Sequence, residues 1–149
     1  MIRKAKFSDI RAIQALINIY AKKDLMLARS LNELYEHIRN FWVFVDKNKV
    51  RACCALDICW ENLAEIKSLA VDPKFRLRGI GSSLVLKAIE EAANLGVKKI
   101  FVLTYAPKFF KRFGFKKIST KLLPHKVWND CFNCPKFPDC KEVALMKKI

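Results

Sequence analysis

The sequence predicts a single α/β domain, a mixed central β-sheet flanked by helices. Three observations predict it. Short apolar runs such as IKSLAV (66–71) and KKIFVLT (98–104) have the length and composition of strands. Two longer segments, 8–23 and 82–96, repeat their apolar residues at helical spacing. The two kinds of segment are interleaved along the chain, as in a sheet covered by helices.

The elements follow in order. IRKAKF (2–7) reads as a short first strand. SDIRAIQALINIYAKK (8–23) carries Ile10, Ile13, Leu16, Ile17 and Tyr20 on one helical stripe, with Ser8 or Asp9 placed to cap it. SLNELYEHIRNF (30–41) opens with the Ser30 and Glu33 spacing of a capping box and predicts a second helix. The stretch 41–59 is two apolar runs around a polar DKNK turn, a β-hairpin in which Asp46 and Asn48 suit the turn. AEIKSLAV (64–71) is the next strand. The segment 82–96 presents Leu84, Val85, Ala88, Ile89, Ala92 and Leu95 on one face, with Lys87, Glu90, Glu91 and Asn94 opposite and Gly96 at its end. KKIFVLT is a strand, PKFFKRF (107–113) a short helix stopped by Gly114, and FKKIS (115–119) and EVALMKK (142–148) the last two strands.

The chain has 149 residues, 52% hydrophobic and 29% charged, a globular composition. No apolar run approaches the ~20 residues that span a membrane. No signal peptide is expected, so the expected location is cytoplasmic. With 29 Lys and Arg against 14 Asp and Glu, the formal net charge is +15. That charge permits nucleic-acid binding without requiring it, because the lysines are scattered, and a polyanionic small molecule gains from the same field. Six cysteines without a secretory context point to thiols or a metal site before a disulfide framework.

RLRGIG (76–81) falls between a strand and a helix. Two glycines one residue apart let the chain turn sharply and bring backbone N–H groups close to a ligand. The following helix begins there, with unpaired N–H groups at the positive end of its dipole. Such an end binds phosphate. Arg76 and Arg78 add charge at the rim, and Ser82 a hydroxyl. The residues alone leave two readings open, a plain turn with exposed arginines and a cradle for a phosphorylated ligand. A P-loop is excluded, since no Gly-Lys-Ser/Thr follows.

SLAVDPKFRLRGIGSSLVLKAIEEA resembles the acetyl-CoA-binding motif of the GNAT acetyltransferase superfamily, whose Arg/Gln-x-x-Gly-x-Gly/Ala pattern falls here on Arg76, Gly79 and Gly81. FVLTYAPKFFKRFGF resembles that family's next strand, helix and Gly-Phe turn. The resemblance covers residues 1–149 as one N-acetyltransferase domain and implies acetyl-CoA as co-substrate. It implies that the backbone of Arg76, Leu77, Arg78, Gly79, Ile80, Gly81 and Ser82 holds the pyrophosphate. Leu69, Ala70 and Val71 would pair with the pantetheine arm, and the strand end would splay from KKIFVLT to open a slot. Phe109, Phe110 and Lys111 would lie near the far side of the cofactor. Many members carry a tyrosine in the short helix as acid for the departing thiol. This chain has Phe109 and Phe110 there, so that role is filled elsewhere or vacant.

Acetyl transfer to an amine needs a base, because an ammonium has no lone pair. Glu65 is the candidate: strand alternation puts it on one face with Lys67, Leu69 and Val71. The backbone N–H of Leu69 or Ala70 could hold the oxyanion. Thr104 and Tyr105, at the end of the next strand, are the candidate acids. Each has a plain alternative, respectively a strand-end carboxylate, a strand-ending Thr and a packed Tyr.

The flanks narrow the resemblance. LMLARSLNELYEHIRNFWVF and LPHKVWNDCFNCPKFPDCKEVALM resemble short, single-domain amino-acid N-acetyltransferases related to the synthase domain of N-acetylglutamate synthase, the first enzyme of the acetylated arginine pathway. L-Glutamate is then the implied acceptor. An acidic amino acid needs cations, for which Arg29, Lys67 and Lys126 are the candidates, Arg29 having the fork geometry for a carboxylate. In the tail, Cys131, Cys134 and Cys140 with His125 could bind zinc, form a disulfide or brace a loop as thiols; thiols are preferred and no metal is expected. Trp60 and Trp128 are read as core or pocket wall. The partners expected are acetyl-CoA and an amino acid, with no nucleic acid and no membrane, and a homodimer is allowed. The alternatives are the same chemistry on another amino acid or a protein N-terminus, and a basic nucleic-acid-binding module.

Overall fold

A computed structural model describes residues 1–123 and 142–149. Its helices and strands are β1 (Ile2–Lys4), α1 (Ile10–Ala21), α2 (Leu31–Glu36), β2 (Phe41–Asp46), β3 (Lys49–Trp60), β4 (Leu63–Val71), α3 (Ile80–Asn94), β5 (Lys99–Thr104), α4 (Pro107–Lys111), β6 (Lys116–Lys117) and β7 (Val143–Lys148). The strands form one mixed sheet in the order β1-β2-β3-β4-β5-β7-β6. β4 and β5 are parallel, while β1–β2, β2–β3, β5–β7 and β6–β7 are antiparallel. The α/β class expected from the sequence is the one observed. The backbone clusters into two compact units, Met1–Leu56 with Ile66–Glu91, and Asp57–Glu65 with Ala92–Ile149.

In the first unit, Ile10, Ile13, Leu16 and Ile17 of α1 pack with Leu34 of α2, Phe41 and Val43 of β2, Cys53 and Ala55 of β3, and Ala70 of β4. Each large side chain buried this way contributes about 1.5–3 kcal/mol. α2 starts as expected, with the Ser30 hydroxyl accepting the Glu33 N–H at 3.1 Å. It ends at Glu36, short of the expected span, and a 3-10 turn, Ile38–Asn40, leads into β2. α1 is preceded by a 3-10 turn, Phe7–Asp9, and takes no side-chain cap from Asp9. That carboxylate instead accepts the Lys6 N–H at 2.8 Å and pairs with Arg3 at 2.7 Å. The β2–β3 turn has Lys47 and Asn48 at φ 50 and 63, the double left-handed pattern of a tight hairpin.

Two positions on α3 correct the sequence reading. Leu84, Val85, Ala88 and Ala92 are buried, but Leu95 is exposed, because the helix ends at Asn94. Glu91, expected on the solvent face, accepts from Lys4 Nζ at 3.0 Å and from the Trp42 indole at 3.1 Å.

In the second unit, β7 pairs along all of β5, from Lys99↔Lys148 to Thr104↔Val143. Leu63, Phe101, Leu123 and Ala144 form the core there, with Cys59, Leu103, Ile118 and Met146 packed against it. Phe110 of α4 meets Phe115 edge-on at 5.7 Å. Gly114 has φ +89, which lets the chain leave α4 and reach β6. β6 is two residues long where FKKIS suggested five; a run so short gives alternation little to act on. Trp60 is 64% exposed, not core, since it ends β3 beside the Glu61 and Asn62 turn.

Candidate active site

The strand-to-helix turn after β4 belongs to the first unit. Asp72 begins it: its carboxylate accepts the Lys74 N–H at 3.0 Å and pairs with Arg51 at 3.1 Å, and its own N–H bonds the Arg51 carbonyl at 2.7 Å. A 3-10 turn, Pro73–Phe75, follows. The guanidinium groups of Arg51 and Arg78 lie 4.9 and 4.8 Å from the Phe75 ring centre. Leu77 and Gly79 then take left-handed backbone, φ 63 and 76. Alternating φ signs gather successive N–H groups into an anion-binding concavity.

Gly81, expected to share in the turn, lies inside the first turn of α3. The second positive φ of the turn, besides that of Gly79, falls on Leu77, which is fully exposed. The α3 ladder starts at the Gly79 carbonyl, which accepts both the N–H and the hydroxyl of Ser83 at 3.0 Å. The N–H groups of Gly79, Ile80, Gly81 and Ser82 thus have no intrahelical acceptor. A Cβ on Gly79 would meet no heavy atom within 4 Å, so the concavity is open. Arg76 and Arg78 are exposed at its rim. The arrangement fits a pyrophosphate.

The end of β4 is braced in the same unit. The Tyr20 hydroxyl donates to the Val71 carbonyl. Burial pushes that hydroxyl up from its ordinary pKa, with Arg76 pulling the other way. Tyr20 read in the sequence as one more residue of an apolar stripe. The only available signal was a polar tip at the last turn of that stripe. Arg51 carried no sequence signal, and Asp72 only its place after Val71 in the quoted motif. Ser68 has φ 55, a non-glycine residue in left-handed backbone. The strict alternation expected from Glu65 through Val71 therefore breaks between Lys67 and Leu69. The Cys53 thiol donates to the Ser68 carbonyl at 3.4 Å, and burial pushes that thiol up to about 12.

Arg29, also in the first unit, is only 18% exposed at its side chain. Its carbonyl accepts from Gln14 at 3.2 Å. Its Nη1 lies 3.4 Å from Glu33, and its Nε is buried with no partner among the described residues. Lys67 is half-buried and engaged in further contacts.

The second unit carries the remaining candidates. Glu65 is 8% exposed and faces Phe101 across the β4–β5 ladder. That ladder covers Leu63, Ala64 and Glu65 against Lys99, Ile100 and Phe101. The Thr104 hydroxyl accepts the Ala106 N–H at 2.8 Å, holding the turn into α4. Tyr105 is half-buried and engaged. Phe110 is buried and committed to packing, whereas Phe109 is half-buried under the Arg112 guanidinium at 5.1 Å and Lys111 is exposed. His125, Lys126, Trp128 and Cys131, Cys134 and Cys140 lie outside the described residues. Among the described residues no group of three or more His, Cys, Asp or Glu is placed to hold a metal.

Residues 7–115 match the model of the acetyltransferase (GNAT) family, and the chain belongs to that family. It is an acetyltransferase of that class, with acetyl-CoA the expected co-substrate. Within the family it is 44% identical, over 99% of its length and 96% of the other, to an uncharacterized N-acetyltransferase of Chlorobaculum tepidum. It is 36% identical to an amino-acid acetyltransferase of Mycobacterium tuberculosis, over 87% of this chain and 76% of that one. Its fold matches N-acetylglutamate synthase from Neisseria gonorrhoeae, crystallised with coenzyme A and N-acetyl-glutamate, with a TM-score of 0.91 at 28% identity. That match covers 99% of this chain and 34% of the synthase.

Proposed function

We propose that the chain moves acetyl from acetyl-CoA to the α-amine of an amino acid, with L-glutamate as acceptor, the N-acetylglutamate synthase step of arginine biosynthesis. Residues 1–149 act as one catalytic domain, and the expected setting is the cytoplasm. The observation that carries the reading is the open turn at Leu77 and Gly79, which presents backbone N–H groups at the start of α3 beside Arg76 and Arg78. It suits the pyrophosphate of acetyl-CoA. The likeness to amino-acid acetyltransferases favours a free amino acid as acceptor. Arg29 supports an acidic one, since a buried guanidinium N–H without an acceptor gains most from a carboxylate.

In this reading Leu69, Ala70 and Val71 meet the pantetheine arm. Glu65 takes a proton from the acceptor ammonium, directly or through a water. The freed lone pair attacks the thioester carbonyl, and the oxyanion is held by the Leu69 or Ala70 N–H. The C–S bond then breaks and the nitrogen loses its extra proton to water, while the thiolate leaves as such or takes a proton from Thr104 or Tyr105.

Free-thiol release from acetyl-CoA, measured over the amino acids and a panel of peptide N-termini, tests the assignment. The highest kcat/KM is expected on L-glutamate. A peptide or another amino acid at the head of the ranking replaces the acceptor.

A further inference from the structure

Arg29 is already partnered, but poorly. Glu33 meets it through one contact, Nη1 to Oε2 at 3.4 Å. That is long beside the 2.7–2.9 Å of a good charge-assisted bond and uses one N–H of a five-donor fork. The Arg29 Nε remains buried with no partner among the described residues. Glu33 is 49% exposed, so its carboxylate has water to return to when displaced. Its place is fixed by the first turn of α2, where its own N–H bonds the Ser30 hydroxyl. An incoming carboxylate can satisfy Arg29 from two oxygens, and Glu33 as held here does not.

We propose that Glu33 is an internal competitor for the acceptor's carboxylate at Arg29, setting how weakly the resting site holds an acidic amino acid. The proposal rests on Arg29 being the acceptor's carboxylate partner. Its consequence is a specificity device. An acceptor must displace Glu33 to bind, and one lacking the carboxylate that Arg29 takes gains nothing by doing so.

The test is steady-state kinetics with L-glutamate at low ionic strength on the wild type, Glu33→Gln, Arg29→Ala and the double variant. Gln keeps the backbone N–H bond to Ser30 and suits that helix position, so thermal melting should show a folded protein. A single long ion pair whose carboxylate is half exposed is weak. Displacing it should therefore cost about a two- to sixfold factor in KM, and Glu33→Gln should lower the L-glutamate KM by that factor with kcat nearly unchanged. The gain should shrink as salt is raised and vanish on the Arg29→Ala background. Between L-glutamine and the α-amide of L-glutamate, the one that lacks the Arg29-bound carboxylate should be insensitive to Glu33→Gln. An Arg29→Ala variant with a raised KM beside a Glu33→Gln variant with an unchanged or higher one overturns the proposal alone. An Arg29→Ala variant with the wild-type KM overturns the acceptor reading beneath it.

Discussion

Gly79 and Gly96 make a matched pair of tests for the cradle. Both have left-handed backbone, φ +76 and +85, and at both a Cβ would meet no heavy atom within 4 Å. One opens α3 and the other follows its C-terminal end. Alanine in left-handed backbone costs about 1–2 kcal/mol. Loss of freedom in the unfolded chain offsets about 0.4–1 kcal/mol of that. The net is a loss of up to about 1.6 kcal/mol for either variant, or a Tm lowered by up to roughly 6 °C for a domain of this size. With no internal clash at either site, the two should melt alike.

Their ligand binding should differ. At Gly79 the added methyl enters the space proposed for the pyrophosphate and weakens at least one charge-assisted N–H bond. Such a bond contributes about 1.5–3 kcal/mol, a loss of roughly 10- to 150-fold in affinity. Calorimetric titration of coenzyme A into Gly79→Ala, Gly96→Ala and the wild type reads this directly. Gly96→Ala should bind like the wild type. Equal affinity for all three, with both variants destabilised as expected, would refute the cradle, because the turn would then be only a turn.

Two further outcomes follow from the same geometry. Glu65→Gln should leave coenzyme A affinity nearly unchanged and lower kcat near neutral pH by about 10²–10⁴, the usual worth of a general base, with partial recovery at higher pH as more acceptor arrives as free amine; wild-type turnover across the profile would make Glu65 a strand residue only. Burial holds the Cys53 thiol protonated up to about 12, whereas in the unfolded chain it ionises near ~8.5. Above that lower value the unfolded state binds fewer protons, so stability is full below it and falls as pH rises, by about 1.4 kcal/mol per unit for this group. Denaturant unfolding at rising alkaline pH should show a shallower decline in Cys53→Ala than in the wild type, and identical slopes would refute the buried thiol.

The parts of the molecule legible in the sequence were those set by local rules. The α1 stripe gave its core face correctly, because Ile10, Ile13, Leu16 and Ile17 can share only one side of a helix. The Ser30 cap was readable because it needs one hydroxyl at one spacing. The RLRGIG stretch was readable as a turn, but not which residues would carry the positive φ. Leucine pays a steric penalty there that glycine avoids, so composition pointed to Gly81 when the backbone used Leu77. The contacts of Tyr20, Arg51 and Glu91 join residues far apart in the chain, and their residue types say nothing about which partner they meet.

β4 shows why alternation could place a strand at 64–71 and still misread its faces. Period-two patterning assumes extended backbone at every residue, and Ser68 at φ 55 violates that once. A left-handed serine costs roughly 1–2 kcal/mol, and it is held by a buried thiol bonded to its carbonyl. Strain of this kind persists where surrounding structure over-determines it, and it clusters at functional sites. Here it divides one strand into two stretches. On the Glu65 side the strand is paired in the ladder and nearly buried. On the Val71 side the strand ends in a carbonyl already taken by Tyr20. The pantetheine arm proposed for that end would meet a strand terminus with one lone pair of its last carbonyl already engaged. No residue in IKSLAV announces that division. It arises from Cys53 and Tyr20, which lie on other elements of the same unit.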